Sequence, residues 1–453
     1  MLNDSAAEKL EKAPAGHELP RKSVRIEYGT ERTSSLFFFR RSQLARLSQP
    51  KTERENILNA MIDFTKIVSP QDLTTCVLEE LLNVTIDSIK WKPIESAIMS
   101  QVLELEITLA DDGTTKAYIV KCLKPSLPLS EMFRVEGEFY SSLHLPEEIF
   151  GTPQCLASGP RFLLLEKVPD IQTYTLLQGC PFNYIKSVIT RLAKLHVHYW
   201  GSSSLGTLSA KAGIGSALTG LQKEQLFAQY YPTFCPDWPD CQTLCQSLND
   251  ADSSIAQLLH DRVHAFQPTL IHGDMHVGNL LFGTTATNSK TSSIYLIDWA
   301  TCGAGNPMRD LVFFFVVSTN GISITTVRDE WLPLYHEELT TSGTKIQISL
   351  ADLWDHFLDC LVNQFIILVC YDETVRNLLR QHDECPPHVE IMYNQHFDNV
   401  NQRCAQAILD FGIDNLYQTI LTKNKKATTI GESIQTTTTR STVVEEPTVL
   451  KEI

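Results

Sequence analysis

The chain has 453 residues, enough at roughly 150 residues per unit for two or three domains or one large enzyme with tails. With 43% apolar and 20% charged residues it has the composition of a folded protein, which excludes collagen, coiled coil and low-complexity scaffold. Its 53 acidic and 38 basic side chains leave a net charge of −15, which repels a phosphate backbone and argues against nucleic acid as a partner.

Residues 1–55 are polar and weakly patterned and read as a flexible N-terminal extension. Within them the run Leu36-Phe37-Phe38-Phe39, followed by Arg40-Arg41, reads as a segment that packs on the body, with binding to a partner or a membrane surface as the other reading. The opening residues hold no apolar stretch of the length a secretory signal needs. The later apolar runs fall short of the roughly 20 residues of a transmembrane helix. The expectation is a cytoplasmic protein without a transmembrane segment, monomeric or homodimeric. Twelve cysteines are scattered without a CxxC pair, which fits reduced core thiols. Cys235, Cys241 and Cys245 with His260 or His264 match none of the usual zinc spacings.

Strands come first. Leu103, Leu105, Ile107 and Leu109 alternate with Glu104, Glu106 and Thr108, the period of a half-buried strand. Asp112-Gly113 supplies a turn, and Tyr118, Val120 and Cys122 alternate with Ile119, Lys121 and Leu123 on the return strand. This predicts an antiparallel hairpin with a lysine near its end. From about Ser130 the stripe Met132, Val135, Phe139, Tyr140 and Leu143 predicts a helix. Glu136 falls inside that stripe and Glu138 opposite it, so Glu136 is the glutamate expected to face the sheet. A strand over Arg161–Glu166 ends before Pro169.

The chain then turns helical. Amphipathic helices are read through Ile185, Val188, Leu192, Leu195 and Tyr199, from Leu350 through Leu368, and from about His388 to Phe411. Short strands at Thr269–Ile271 and Ile294–Ile297 interrupt this half. Asp355, Asp359, Asp372 and Glu373 read as a solvated helix face, with an acidic pocket for a cationic acceptor as the other reading. Lys423 to Ile453 is rich in Thr, Lys and Glu and reads as a disordered tail. The predicted fold class is α+β, with a small N-terminal mixed sheet lobe and a larger helical C-terminal lobe separated by a cleft. Its divisions are 1–55, 56–168, 169–422 and 423–453.

The densest polar cluster is His272-Gly273-Asp274-Met275-His276-Val277-Gly278-Asn279, after a short apolar strand, followed by Ile297-Asp298-Trp299. An Asp, an Asn five residues on and a second Asp after a hairpin are what metal-assisted phosphoryl transfer requires. One carboxylate orients an attacking hydroxyl and accepts its proton, while an amide oxygen and a carboxylate hold Mg²⁺ against nucleotide phosphates. The motifs of a P-loop, a binuclear metallophosphatase and a serine hydrolase elbow are absent.

With these residues, and with Gly305, Pro307, Asp310 and Leu311 downstream, the sequence resembles the aminoglycoside phosphotransferase and choline kinase superfamily. Within it the chain is most similar to the ecdysteroid kinase-like group, over roughly residues 85–415. The resemblance implies a protein-kinase-like fold, ATP and Mg²⁺ as cofactors, and a small hydroxylated metabolite as acceptor. It implies Asp274 as catalytic base, Asn279 and Asp298 as metal ligands, Lys121 on the α- and β-phosphates, and Glu136 as the partner of Lys121. It also implies that the backbone of Glu166 to Val168 reads the adenine edge and that Asp310 braces the catalytic loop while capping a helix. His196, His272 and His276 read as packed or loop-orienting. The segment Ser96 to Ser100 stands where the family's loop covers the phosphates, with Ser100 as its serine, yet it holds no glycine. Glycine permits close backbone approach, so the alternative is a nucleotide-binding pseudokinase without turnover.

Overall fold

A computed structural model describes residues 63–94, 100–124, 130–143, 145–207, 220–234, 255–283, 294–341, 346–381 and 387–411. The N-terminal extension, the C-terminal tail, residues 96–99 of the loop over the phosphates, and Cys235, Cys241 and Cys245 lie outside the described residues. So do the side chains of Asp372 and Glu373. The described elements fall within one compact unit, Leu58–Ile453.

Helix α1 (Thr75–Leu82) starts where the Thr74 hydroxyl accepts the Val77 N–H, and it ends at Asn83 in the left-handed region. A five-stranded antiparallel sheet follows, made of β1 (Ile86–Ile94), β2 (Ser100–Leu109), β3 (Thr115–Leu123), β4 (Cys155–Gly159) and β5 (Phe162–Glu166). Its order is β1-β2-β3-β5-β4. The β2–β3 hairpin is the predicted one. Gly113 takes φ 69° in the turn, and the Thr114 N–H donates to Asp112 Oδ1 at 2.8 Å.

Both faces of the sheet are covered. Leu105, Ile107, Tyr118, Val120, Cys122, Phe162 and Leu164 pack under α1 with Ile67, Leu73 and Leu78. On the other face Leu123, Leu163 and Leu165 meet Phe133 of α2 (Ser130–Ser142). The half-buried strand of the sequence reading is therefore a strand with two inner faces. Glu104 is buried and pairs with Lys167 instead of facing solvent. The strand β1 has no alternating pattern, is mostly exposed and carries Pro93, so it reads as a strand only through its register on β2.

Short strands β6 (Ile171–Gln172), β8 (Leu280–Gly283) and β9 (Ile294–Leu296) form a second sheet, and β7 (Thr269–Ile271) pairs with β10 (Gly303–Gly305). The rest is helical: α3 (Phe182–His198), α4 (Gly220–Phe234), α5 (Ile255–Ala265), α6 (Met308–Ser318), α7 (Leu332–Thr341), α8 (Leu350–Gln381) and α9 (Pro387–Asp410). The observed architecture is α+β, an antiparallel sheet layer followed by a helical region with its own core, which includes Val188, Leu192, Leu311, Phe314, Phe357, Leu361 and Phe365. The first 21 residues of α8, Leu350–Cys370, are long and apolar enough to cross a membrane, and 67% of that window is buried against the protein. The sequence reading had no such segment, because it judged apolar runs and not whole helices. Asp359 on α8 is also corrected: it faces inward and pairs with Arg262 at 2.6 Å, so it belongs neither to a solvated face nor to an acidic pocket.

Candidate active site

The alternation of β3 turns Lys121 toward α2, and the α2 stripe turns Glu136 toward β3. Lys121 Nζ lies 2.7 Å from Glu136 Oε2 and 2.7 Å from Asp298 Oδ1. Two carboxylates, one 15 and one 177 positions along the chain, thus share the Lys121 ammonium. Asp298 precedes Trp299 and holds φ 63°, ψ 60°, a conformation that costs a non-glycine residue energy and persists only where the surroundings impose it. The surroundings are visible. Trp299 stacks on Phe139 of α2 with ring centroids 3.9 Å apart, and meets the His272 ring edge-on at 4.7 Å. Its Nε1–H donates to the Leu296 carbonyl at 3.0 Å.

The loop carrying Asp274 is held from behind. Asp310, fully buried, accepts the His272 N–H at 2.7 Å and the Gly273 N–H at 2.9 Å. This is the brace the resemblance implied, without the cap: Pro307 stands at the N-cap of α6 with no side-chain capping bond. The Met308 N–H is instead accepted by Asn306 Oδ1 at 3.0 Å. His196 joins Asp310 to the core, with Tyr335 Oη 2.5 Å from its Nδ1 and Asp310 Oδ2 3.4 Å from its Nε2.

His272 links the two acidic segments. Its Nε2–H donates to the Ile297 carbonyl at 3.0 Å, while its Nδ1 accepts the Asp274 N–H at 3.3 Å. Gly273 takes φ 81°, and a Cβ there would lie 2.4 Å from the Thr301 carbonyl oxygen. Only glycine fits. The sequence reading named Trp299 beside Asp298 without giving it a role, and it did not single out Thr301. The D-W pair was the available signal for Trp299, and nothing in the sequence marks Thr301, whose hydroxyl donates to the His272 carbonyl at 3.0 Å.

Asn279 turns its Nδ2 to Asp274, 2.9 Å from the carbonyl and 3.3 Å from Oδ2. Its backbone carbonyl accepts the Ile297 N–H at 3.0 Å, which sets Asn279 beside the segment of Asp298. His276 Nε2 lies 3.3 Å from Asp274 Oδ2. The structure therefore brings Lys121, Glu136 and Asp298 into contact, and likewise Asp274 and Asn279. Asp274 and Asp298 keep 36% and 39% of their side chains exposed, while Glu136 keeps 1%.

Charges follow from this packing. Burial pushes Asp274 up, but the imidazoles of His276 and His272 and the Asn279 amide outweigh it and hold the carboxyl at about 2. Burial lifts Glu136 to about 7 because the pull of Lys121 offsets only part of the cost and Asp298 adds repulsion. Burial draws Lys121 down, but the two carboxylates outweigh it and raise it above the ordinary lysine range. Two carboxylates surround one ammonium, so the site has room for further positive charge.

A divalent cation fits that donor set. Among the described residues no three His, Cys, Asp or Glu side chains are placed to hold a metal. The Asn279 Oδ1 and the Asp298 carboxylate are hard oxygen donors, and Mg²⁺ characteristically takes one or two such protein ligands and completes its shell with phosphate oxygens and water.

Ser100 and Lys121 lie on one face of the sheet, since Ser100 opposes Leu123 and Val102 opposes Lys121 across β2–β3. Glu166 ends β5, three residues beyond Leu163, which opposes Lys121, or about 10 Å along the strand. The Glu166 N–H donates to the Gln154 carbonyl and the Lys167 N–H to the Ala117 carbonyl, so neither amide is available to an adenine edge. Val168 is buried just beyond.

Comparison with known proteins bears on the same stretch. No curated protein matches the chain. Solved structures that resemble it include choline kinase from Cryptosporidium parvum Iowa II, with 14% identity over 78% of this chain and 100% of that one at a TM-score of 0.49. Spectinomycin phosphotransferase with ADP and spectinomycin has 14% identity over 77% and 99% at a TM-score of 0.44, and Plasmodium vivax ethanolamine kinase has 11% identity over 84% and 95% at 0.41. Over residues 218–348, the stretch that carries Asp274, Asn279, Asp298 and Asp310, the chain matches the ecdysteroid kinase-like family.

Proposed function

We propose that the protein is an ATP- and Mg²⁺-dependent phosphotransferase that moves the γ-phosphate to a hydroxyl of a small molecule, with Asp274 as base. The observation that carries this reading is the contact of Lys121 with both Glu136 and Asp298, beside the Asp274–Asn279 pair. Mg²⁺ bound with ATP would neutralise phosphate charge as the transferred group passes through a loose transition state.

The chain's own residues do the rest. Glu136, held in the core, keeps Lys121 aimed along the face that carries Ser100, where the ammonium can bind phosphate oxygens. Asn279 Oδ1 and Asp298 would hold the metal. At the far end of the sheet the adenine edge would fall to the Glu166 carbonyl and the Val168 amide, since the other two amides of the linker are taken. Asp274, with a carboxyl at about 2, is a weak base; it orients the acceptor hydroxyl by accepting its hydrogen bond and takes the proton late, once bonding to phosphorus makes that proton acidic.

Incubating the protein with Mg-ATP and a library of hydroxylated metabolites, and reading a mass gain of one phosphate, tests the reading. Mg-ATP binding without turnover on any acceptor would favour the nucleotide-binding pseudokinase, as the glycine-free segment Ser96 to Ser100 would suggest.

A further inference from the structure

A second buried lysine lies in the helical region, outside the site described above. Lys223, on α4, is 1% exposed. Its Nζ donates to Asn363 Oδ1 of α8 at 3.0 Å, and among the described residues this is its one hydrogen-bond partner; no carboxylate pairs with it. An ammonium has three donors, so two remain unused in a setting where an isolated charge is costly. Arg309 adds positive charge to the surroundings, and the nearby thiols of Cys360 and Cys370, kept neutral by burial, add none of the opposite sign. Burial, with Arg309 next, draws Lys223 down to about 8.

The neighbouring helix supplies an independent sign. His260 and His264 of α5 are stacked with ring centroids 4.0 Å apart. His264 Nδ1 bonds to the His260 carbonyl at 2.7 Å, but His260 Nδ1 is buried without a hydrogen-bond partner among the described residues. Lys223 and Arg309 both bear on that imidazole. Asp261 bears on that imidazole and Asp310 on Arg309, but among the described residues no carboxylate bonds to Lys223. Asp359 is taken by Arg262, and Asp310 by the catalytic-loop amides.

We propose that Lys223, with Asn363 and His260, forms a binding site for a small oxyanion, a carboxylate or phosphate group, where α4, α5 and α8 meet. The oxyanion supplies the missing acceptors for the ammonium and for an N–H carried at His260 Nδ1. This goes beyond the kinase reading and stands apart from it, since its test requires no turnover.

The test is thermal unfolding of the full chain with inorganic phosphate or acetate, each against sodium chloride at matched ionic strength. The expected result is a rise in Tm of about 2 °C or more at saturation, growing with the logarithm of anion concentration. That rise is absent in Lys223→Met and retained in Lys121→Met. Asn363→Asp, which places a carboxylate against the ammonium, raises Tm without anion and removes the response. No shift with either anion in the wild-type protein overturns the proposal. So does a shift kept in Lys223→Met and lost in Lys121→Met, which would place the anion at the nucleotide site. If Lys223→Met does not fold, an unchanged response in Asn363→Asp overturns it equally.

Discussion

Lys121 and Lys223 are both lysines carried into the interior, and their surroundings are opposite. Lys121 sits between two carboxylates at 2.7 Å, and its ammonium is held charged beyond the ordinary lysine range. Lys223 has one amide oxygen, and its ammonium is weakened to about 8. Burial acts on both in the same direction, so the counter-charge decides the outcome. A buried lysine is thus evidence of function only together with what faces it: the first has more negative charge than it needs, which suits a cation, and the second has less, which suits an anion.

The largest expected effect tests the chemistry on the sheet side. Asp274→Asn should lower kcat by about 10²–10⁴-fold with Mg-ATP affinity little changed. Near-normal turnover would remove Asp274 from the role of base.

Next comes stability. Lys121→Met leaves Glu136 buried beside Asp298 with no ammonium between them and should cost about 3–5 kcal/mol in denaturant unfolding. Lys223→Met removes a charge that has little to answer it and should stay within about 1 kcal/mol of the wild type or exceed it. Equal losses in the two variants would break the comparison. Between these, Gly273→Ala should cost about 1–3 kcal/mol, because the left-handed backbone and the Thr301 carbonyl oxygen at 2.4 Å both oppose a Cβ; a stability equal to wild type would show that the loop relaxes freely.

The smallest effects are in pH dependence, and their signs differ. Glu136 takes its proton at about 7 when folded, against 4.5 for an ordinary glutamate in the unfolded chain. Between those values the folded state holds the extra proton, so this group makes stability fall as pH rises from 4.5 to 7. Lys223 gives up its proton at about 8 when folded, against 10.5 for an ordinary lysine in the unfolded chain. Between those the unfolded chain holds the extra proton, and stability rises with pH. Unfolding midpoints measured across both windows should lose the first slope in Glu136→Gln and the second in Lys223→Met. A slope that survives its own substitution belongs to another group.

The sheet-side site was largely legible because period-two alternation places Lys121 on a face, and a helical stripe places Glu136 on another, without knowledge of the rest. The stripe was less accurate for packing. It omitted Phe133, which meets the sheet, because the second inner face of the sheet widens the buried arc of α2 beyond one stripe. Asp310 was read as a brace and a cap, but its carboxylate is turned to the two loop amides and His196, away from the start of its own helix, and Asn306 serves there instead. Lys223 did leave a trace: it stands three and four residues before Leu226 and Phe227, on the apolar side of α4. Nothing local distinguishes such a lysine from one whose stem lies along the surface with its head in water.

By itself the sequence determined the local periods, and with them the hairpin, the direction of Glu136, and the polar types and spacings of the loop from His272 to Asp298. It could not determine which residue would answer each buried charge. Lys121 and Asp298 are 177 positions apart, and Lys223 and Asn363 are 140 apart. Pairing at that range is set by which elements pack together, and electrostatic balance in an interior depends on those few ångströms of tertiary contact.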